Sequence, residues 1–383
     1  MLRPQSCIFS LIAVCLVATQ GTDAQAKGKK KKSAAAPRQA DGKAIPAPTA
    51  TGLIQPWFTL WDQDLDPITD PAGYGDPEDD FGFKLRRARI GLVAKEDRVR
   101  YDITVGFSSG FDAVDPPLSD SIQLISAEGS YKAAKGFWLT GGVQKVPVSR
   151  DFLMSASQLV SGDRAVGSVR MIPGRDVGIT ADYNTGDSDG DGFNVRIRGG
   201  MYNGNGSLSG DDNDGKLIAT RLDLVYGPGN VYRTWGRVKG FTIGAAGNYW
   251  MDNDLGVEET GFGADLIMRV EGLAVLGELQ MTTLDPKDVD IVMPGVLDET
   301  PRRGLVGQVG YSVWMVEPYV RYSSFDDHRE IEDNGDVAEI QGGVTWHGGD
   351  DMLRAGLAYL HRMENGGTEA PNDTARLWMQ LAF

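Results

Sequence analysis

Arg86, Arg87 and Arg89 stand within four positions of one another in the stretch LRRARIGLVA, residues 85 to 94, which also carries Ala88, Ile90, Leu92 and Ala94 at every second position. A guanidinium stays ionised at physiological pH and offers a planar fork of donors. Arginine can therefore replace water around the oxygens of phosphate, sulfate or carboxylate. What three of them do depends on the element that carries them. On a strand, alternate side chains point to opposite faces, so Arg87 and Arg89 share one face and Ala88, Ile90 and Leu92 the other. Arg86 then falls with the apolar set, at a level where its stem lies on grease and its head reaches water.

Alternation of this kind dominates from Thr51 onward. Tyr101, Ile103, Val105 and Phe107 interleave with Asp102 and Thr104; Phe193, Val195 and Ile197 with Asn194, Arg196 and Arg198; Val316, Pro318, Val320 and Tyr322 with Glu317, Tyr319 and Arg321. Sixteen such segments can be read, from 52–61 to 373–383. At about 10 to 14 residues they suit a tilted strand crossing a bilayer and exceed an ordinary globular strand. Their connections alternate too. Tight turns such as 95–97, 133–135 and 271–272 take turns with long loops rich in Asp, Gly and Pro, such as 62–81, 147–174 and 285–301. Two links on the tight-turn side, 185–192 and 227–237, are longer than that pattern asks. A secreted β-sandwich would alternate as well, but with shorter strands and no sidedness of loop length. The pattern predicts an all-β fold: a 16-stranded antiparallel transmembrane β-barrel with short periplasmic turns and long extracellular loops, in the bacterial outer membrane.

The ends fit that destination. Residues 1–26 have a charged start at Arg3, an apolar run from Cys7 to Ala18, and Ala24-Gln25-Ala26, and are expected to be a signal peptide. Both cysteines fall inside it, so disulfides and thiolate metal sites are excluded from the rest. Residues 27–50 are rich in Lys, Ala and Pro and carry +6, a composition that cannot bury a core; a disordered periplasmic tail is expected, with possible contact to the anionic cell wall through its basic run. The whole chain carries −15 and the first 26 residues are neutral, so 51–383, the barrel, carry −21. Among 51–383 there is no apolar run of the length a spanning helix needs.

By inward parity, the pore-lining and anion-binding candidates are Arg87, Arg89, Arg196, Arg198, Arg221, Arg321, Arg354 and Arg376. Lys145 shares the parity of Val143 and is expected outside. Asp102, Asp223, Asp265, Glu278 and Glu317 share the inward parity with the arginines, so a net basic lumen and a mixed-charge one both stay open.

The stretch GGVQKVPVSRDFLMSASQLVSGDRAVGSVRMIPGRDVGITADY, residues 141–183, together with the arginine-rich second strand, resembles the phosphate-selective porin O and P family. The likeness rests on a Gly-x-x-Lys-x-Pro strand end at 142–147, the Asp163-Arg164 pair in a long loop, and Gly174-Arg175-Asp176-x-Gly178 leading into the next strand. It implies a homotrimeric anion channel whose third loop, 147–174, folds inward as a constriction. Arg150, Arg164 and Arg170 would then project into the narrow part, and Phe152, Leu153, Met154, Leu159 and Val160 would need apolar partners on the inner wall. The other loops pull against phosphate. Asp76, Glu78, Asp79 and Asp80, then Asp211, Asp212 and Asp214, then Glu258 and Glu259 make an acidic mouth that repels anions. Two functions are therefore carried forward: passive diffusion of small hydrophilic solutes, inorganic anions such as phosphate among them, or a non-selective, weakly cation-preferring general porin.

Other chemistry has little to stand on. Asp187-Ser-Asp189-Gly-Asp191-Gly192 matches the first half of a calcium loop, but Arg198 occupies the position of the closing glutamate, and a solvated turn is the expectation. His328, His347 and His361 are scattered, and no serine or carboxylate has the setting of a nucleophile or metal site, so neither an enzyme, a metal nor a cofactor is expected. A lone basic tail without interleaved aromatics does not suit nucleic acid.

Overall fold

A computed structural model describes residues 47–62, 82–107, 122–186, 192–206, 213–254, 256–287, 299–332, 335–348, 352–364 and 373–383. The signal peptide, nearly all of the tail, the acids at 76–80 and the half calcium loop lie outside these residues.

Sixteen antiparallel strands close into a barrel. In chain order they are β1 (Thr49–Asp62), β2 (Gly82–Glu96), β3 (Val99–Phe107), β4 (Ile122–Ala134), β5 (Phe137–Lys145), β6 (Arg175–Asn184), β7 (Phe193–Tyr202) and β8 (Leu217–Tyr226). The second half comprises β9 (Phe241–Asp254), β10 (Val257–Val270), β11 (Leu273–Pro286), β12 (Thr300–Tyr311), β13 (Val316–Asp326), β14 (Val337–His347), β15 (Leu353–Glu364) and β16 (Thr374–Ala382). Each strand pairs with its neighbours in sequence, and β16 returns to β1 with Trp57 opposite Trp378 and Leu53 opposite Ala382. Closure satisfies the backbone groups that an open edge would leave bare in hydrocarbon. Strand β1 begins three residues before the expected 52: Thr49 and Ala50, assigned to the tail, pair with Val93 and Leu92.

The outer face is a continuous apolar surface. Ile90, Leu92, Ile103, Ile179, Ile197, Leu222, Leu266, Val320, Leu357 and Met379 are all exposed, as is the terminal Phe383. Their alternate neighbours on the same strands are buried and polar, among them Arg198, Asp223, Asp265, Arg321 and Arg354. A soluble domain has the opposite polarity, with grease inside; grease outside on a closed barrel is the arrangement that lipid selects.

The ladder between β1 and β2 breaks parity at one point. Gln55 is opposite Arg87, but the next residue, Pro56, is opposite Leu85, so Arg86 is the extra residue of a bulge. Proline has no N–H to give the ladder, and a bulge is where a sheet accommodates it. Arg86 and Arg87 consequently both turn inward, and both are almost fully buried. The expectation of Arg86 on the lipid face is overturned for that reason.

Candidate functional site

The segment between β5 and β6 lies inside the barrel. It has structure of its own: a short helix α1 (Arg150–Leu153), a 3-10 turn at Ala156–Gln158 and a second helix α2 (Val166–Val169). Ser149 caps α1, its Oγ accepting from Phe152 N at 3.1 Å. At the other end of α1, Lys145 Nζ donates to the carbonyls of Phe152 (2.5 Å), Leu153 (3.1 Å) and Met154 (2.7 Å). A helix leaves its last carbonyls without intrahelical partners, and a cation is the natural cap. Lys145 thus corrects the expectation of an outward side chain, because the chain folds back over the end of β5 and the ammonium reaches those carbonyls.

The apolar residues of the insert find partners on the inner wall. Met154 and Leu159 pack with Val231, Ile267 and Leu276; Val160 with Trp235 and Tyr319; Val166 and Met171 with Phe325 and Val337. Gly167 marks the closest approach. A Cβ there would lie 2.4 Å from Ser324 O and 2.5 Å from Leu305 O, so only glycine lets α2 sit against β12 and β13.

Three sets of polar and charged side chains hold this insert. The first joins α1 to β7, β8 and β10. Arg150 Nε meets Asp265 Oδ1 at 2.6 Å, Arg221 Nη1 meets Asp265 Oδ2 at 2.7 Å, and Arg198 Nη2 meets Asp223 Oδ2 at 2.7 Å. Arg150 also reaches Asp223 at 3.5 Å and Val231 O at 3.0 Å. Buried guanidiniums need such partners, and here three share two carboxylates. The second set grips the backbone of 157–163 from the seam side of the barrel. Arg354 donates to Leu159 O (2.9 Å) and Ser157 O (2.5 Å), Arg321 to Asp163 O (2.8 Å), Gln55 to Gly162 O (2.7 Å), and Thr345 to Val160 O (2.7 Å). The third surrounds the Asp163 side chain: Arg87 Nη2 is 2.7 Å from Oδ1 and Arg86 Nη2 is 3.2 Å from Oδ2. Burial by itself would raise this carboxyl's pKa, but Arg86 and Arg87, with Arg376 behind them, hold it well below the ordinary carboxylate range.

The remaining arginine candidates are dispersed. Arg376 lies over the Trp57 ring at 4.0 Å, and Arg196 pairs with Asp182 at 2.5 Å, away from the insert. Arg89 stands opposite Leu53 on the inner face. Arg164 donates to Met154 O at 2.8 Å and lies over Phe152, and Arg170 closes α2 with its backbone N–H on Val166 O.

A second insert escaped the sequence reading. The link between β8 and β9, on the short-turn side, bends into the lumen and meets the first insert. Thr234 N donates to Gln158 O at 3.1 Å, Val160 N to Thr234 Oγ1 at 2.9 Å, and Arg233 Nε to Gln158 Oε1 at 2.7 Å. Trp235 is buried, with the guanidinium of Arg233 4.1 Å and that of Arg354 4.7 Å from its ring centre. Arg269 holds the link by donating to Trp235 O and Gly236 O, each at 2.7 Å, and Glu317 accepts from Gly236 N at 2.9 Å. The signal in the sequence was the unusual length of 227–237 combined with Val231, Tyr232 and Trp235, apolar residues a solvated turn has no use for.

At the long-loop rim, the described acids include Glu259, paired with Arg302, and Asp326, paired with Arg303 at 3.2 Å. Among the described residues no group of three or more potential ligands is placed to hold a metal ion.

No family model matches the chain, including any for the phosphate-selective family it resembles, and no curated protein matches it in sequence. Solved structures do match. An anion-selective porin from Comamonas acidovorans aligns with a TM-score of 0.56 at 13% identity, covering 88% of this chain and 100% of that one. Salmonella typhi OmpF, in complex with daunomycin, gives 0.55 at 13% identity over 87% and 96%. The trimer form of OmpT, an outer membrane protein of Vibrio cholerae, gives 0.51 at 10% identity over 88% and 99%. The fold is that of the outer-membrane porins, and with its apolar outer face it places the chain in the bacterial outer membrane.

Proposed function

We propose that this barrel is a passive diffusion channel for small hydrophilic solutes, and that its lumen favours anions. The observation that carries the reading is the gathering of cations on one arc of the inner wall where the β5–β6 insert crosses it. Arg86, Arg87 and Arg376 act on the Asp163 carboxylate, and Arg321 holds the backbone of the same residue. One loop carboxylate is set against several wall cations, so the field along that arc is positive. An anion moving past would be drawn by that field and not by direct contact, since these guanidiniums are buried and bonded to the insert, which keeps the attraction weak enough for release. The insert 147–174 is the constriction in this scheme, and inorganic anions, phosphate included, are the solute class.

The test is the reversal potential of the reconstituted channel in a gradient of potassium chloride. A potential of the sign for chloride permeation supports the reading; one of the sign for potassium overturns it. A specific observation favours the second reading, a non-selective or weakly cation-preferring porin: Arg150, Arg198 and Arg221 are largely neutralised by Asp223 and Asp265, and acids stand at the rim. Assembly as a homotrimer and cell-wall contact through 27–50 belong to the same proposal. Crosslinking in native membranes, and co-sedimentation of the full chain with peptidoglycan, test them.

A further inference from the structure

The inner wall is covered unevenly. Against β8 and β10 to β15, where the two inserts lie, inward side chains such as Arg221, Asp265 and Arg354 are buried. On the other side, Arg100 and Asp102 of β3, Glu128 and Lys132 of β4 and Trp138 of β5 keep part of their surface accessible. These five point inward, because the residues beside them on the same strands, Ile103, Tyr131 and Leu139, are the exposed ones of the lipid face. The water path therefore runs along β3 to β5.

Two cations on this stretch differ from the guanidiniums that hold the inserts. Arg100 lies over the Trp138 ring, its Cζ 3.9 Å from the ring centre, and Lys132 Nζ is 5.9 Å from the same centre. Lys132 stands opposite Trp138 in the ladder, and Arg100 is one strand further on, opposite Ser130. Neither side chain makes a hydrogen bond or an ion pair with another described residue, and Arg100 Nε is a buried donor without an acceptor. The acids nearby are engaged or set apart. Asp182, opposite Trp138 on β6, accepts from Arg196 through both Nε (2.9 Å) and Nη2 (2.5 Å). Asp102 accepts from Thr104 Oγ1 at 2.8 Å and Ser126 Oγ at 2.6 Å. Glu128, opposite Asp102, lies further along β4 toward the long-loop end.

Two cations without partners on a wet wall attract an anion, and an arginine laid on an indole keeps its in-plane N–H donors for a carboxylate. A hydrated inorganic ion would use the charges alone. The part of the indole that the smaller guanidinium leaves uncovered gains only from a flat, apolar body placed against it.

We propose that Arg100, Lys132 and Trp138 form a binding site at the short-turn end of the lumen for small aromatic carboxylates, with the carboxylate on the two cations and the ring against the indole. The inference rests on the reading of the barrel as a diffusion channel and names a solute class that the charges around Asp163 do not select.

The test follows binding of para-fluorobenzoate to the full chain in detergent micelles by fluorine NMR line broadening, with benzoate, cyclohexanecarboxylate and inorganic phosphate as competitors. Heat-modified electrophoretic mobility verifies that each variant is folded. Replacing Arg100 and Lys132 together by glutamine should weaken binding about tenfold. In wild type, benzoate should compete about fivefold better than cyclohexanecarboxylate, and Trp138→Leu should erase that advantage. Binding indistinguishable between wild type and the double glutamine variant removes the site, and phosphate competing as well as benzoate overturns the solute class. The outcome is separable from the reversal potential. Absence of binding in a channel that passes chloride defeats this inference alone, whereas binding in a channel that passes potassium defeats only the ion preference.

Discussion

The backbone N–H of Val160 donates to Thr234 Oγ1 at 2.9 Å, joining a segment that enters the barrel from the long-loop end to one that enters from the short-turn end. That contact is buried on both sides. A buried donor left without its acceptor costs about 1–3 kcal/mol. In Thr234→Val the methyl replaces the hydroxyl at similar volume, so packing persists and the hydroxyl's two bonds are lost, that from Val160 N and a longer one to Gln158 O. Single-channel recordings should show a noisier open level and a higher mean conductance than wild type; an identical trace would mean the two inserts do not constrain one another.

Arg86 and Arg87 give the sharpest test of selectivity. Replacing both by glutamine keeps donors near Asp163 but removes two positive charges from the arc. The chloride-to-potassium permeability ratio should fall by about three- to tenfold, equivalent to ~0.7–1.4 kcal/mol of local potential. Reversal potentials measure it directly.

The Asp265 carboxylate is shared by Arg150 and Arg221, all three buried. Asp265→Ala takes the nearest carboxylate from both guanidiniums and leaves Asp223 alone against three arginines, a loss on the order of 3–5 kcal/mol. Urea unfolding in detergent should show the shift. Replacing Arg150 by methionine as well should recover part of it, since the stranded charge is then gone.

Glycine at 167 is a packing requirement. Gly167→Ala puts a methyl against two carbonyl oxygens, and relief requires α2 to lift from β12 and β13, at about 1–3 kcal/mol. Limited proteolysis should then cut within 147–174 of the folded barrel, where wild type resists.

Two carboxyls of the first insert respond to acid in opposite directions. Asp163 is held below the ordinary range by Arg86 and Arg87, so its contribution is present above the unfolded-state pKa and is lost only as pH falls through its lower folded value. Asp151 is raised, by burial first, so protonating it as pH drops favours the folded insert. The Asp163 clamp on the insert should therefore hold from neutral pH down through the ordinary carboxylate range and release only below it, seen as an abrupt rise in open-level noise in single-channel recordings. In Asp163→Asn the acid transition should disappear.

The strands were legible because each buries one face and wets the other, and a period of two survives boundary errors of a few residues. Ile90, Leu92, Ile103 and Val320 belong to apolar alternating sets in the sequence and are exposed in the fold. Parity failed where the ladder is interrupted: at Pro56, where a bulge turns Arg86 inward, and at the end of β5, where Lys145 caps a helix. The arginines could be sorted by face, but their partners could not be assigned. Arg354 ends on the carbonyl of Leu159, 195 residues away in sequence, and Arg198 on Asp223. Such pairings follow from tertiary register, which alternation does not encode. The 227–237 link was misjudged because a connection on the short-turn side is ordinarily solvated, and its apolar residues mark it as an insert only once the lumen wall is known.

The residues that grip 157–163 sit on β1, β2, β13, β14 and β15, around the join where the first and last strands zip together. Strands from the two ends of the chain are therefore tied twice, once through the ladder between β1 and β16 and once through the backbone of 157–163, which Gln55 and Arg354 hold together. The insert acts as a splint laid across the seam of the cylinder, so the place where a closed sheet has its only chain discontinuity is also braced from within.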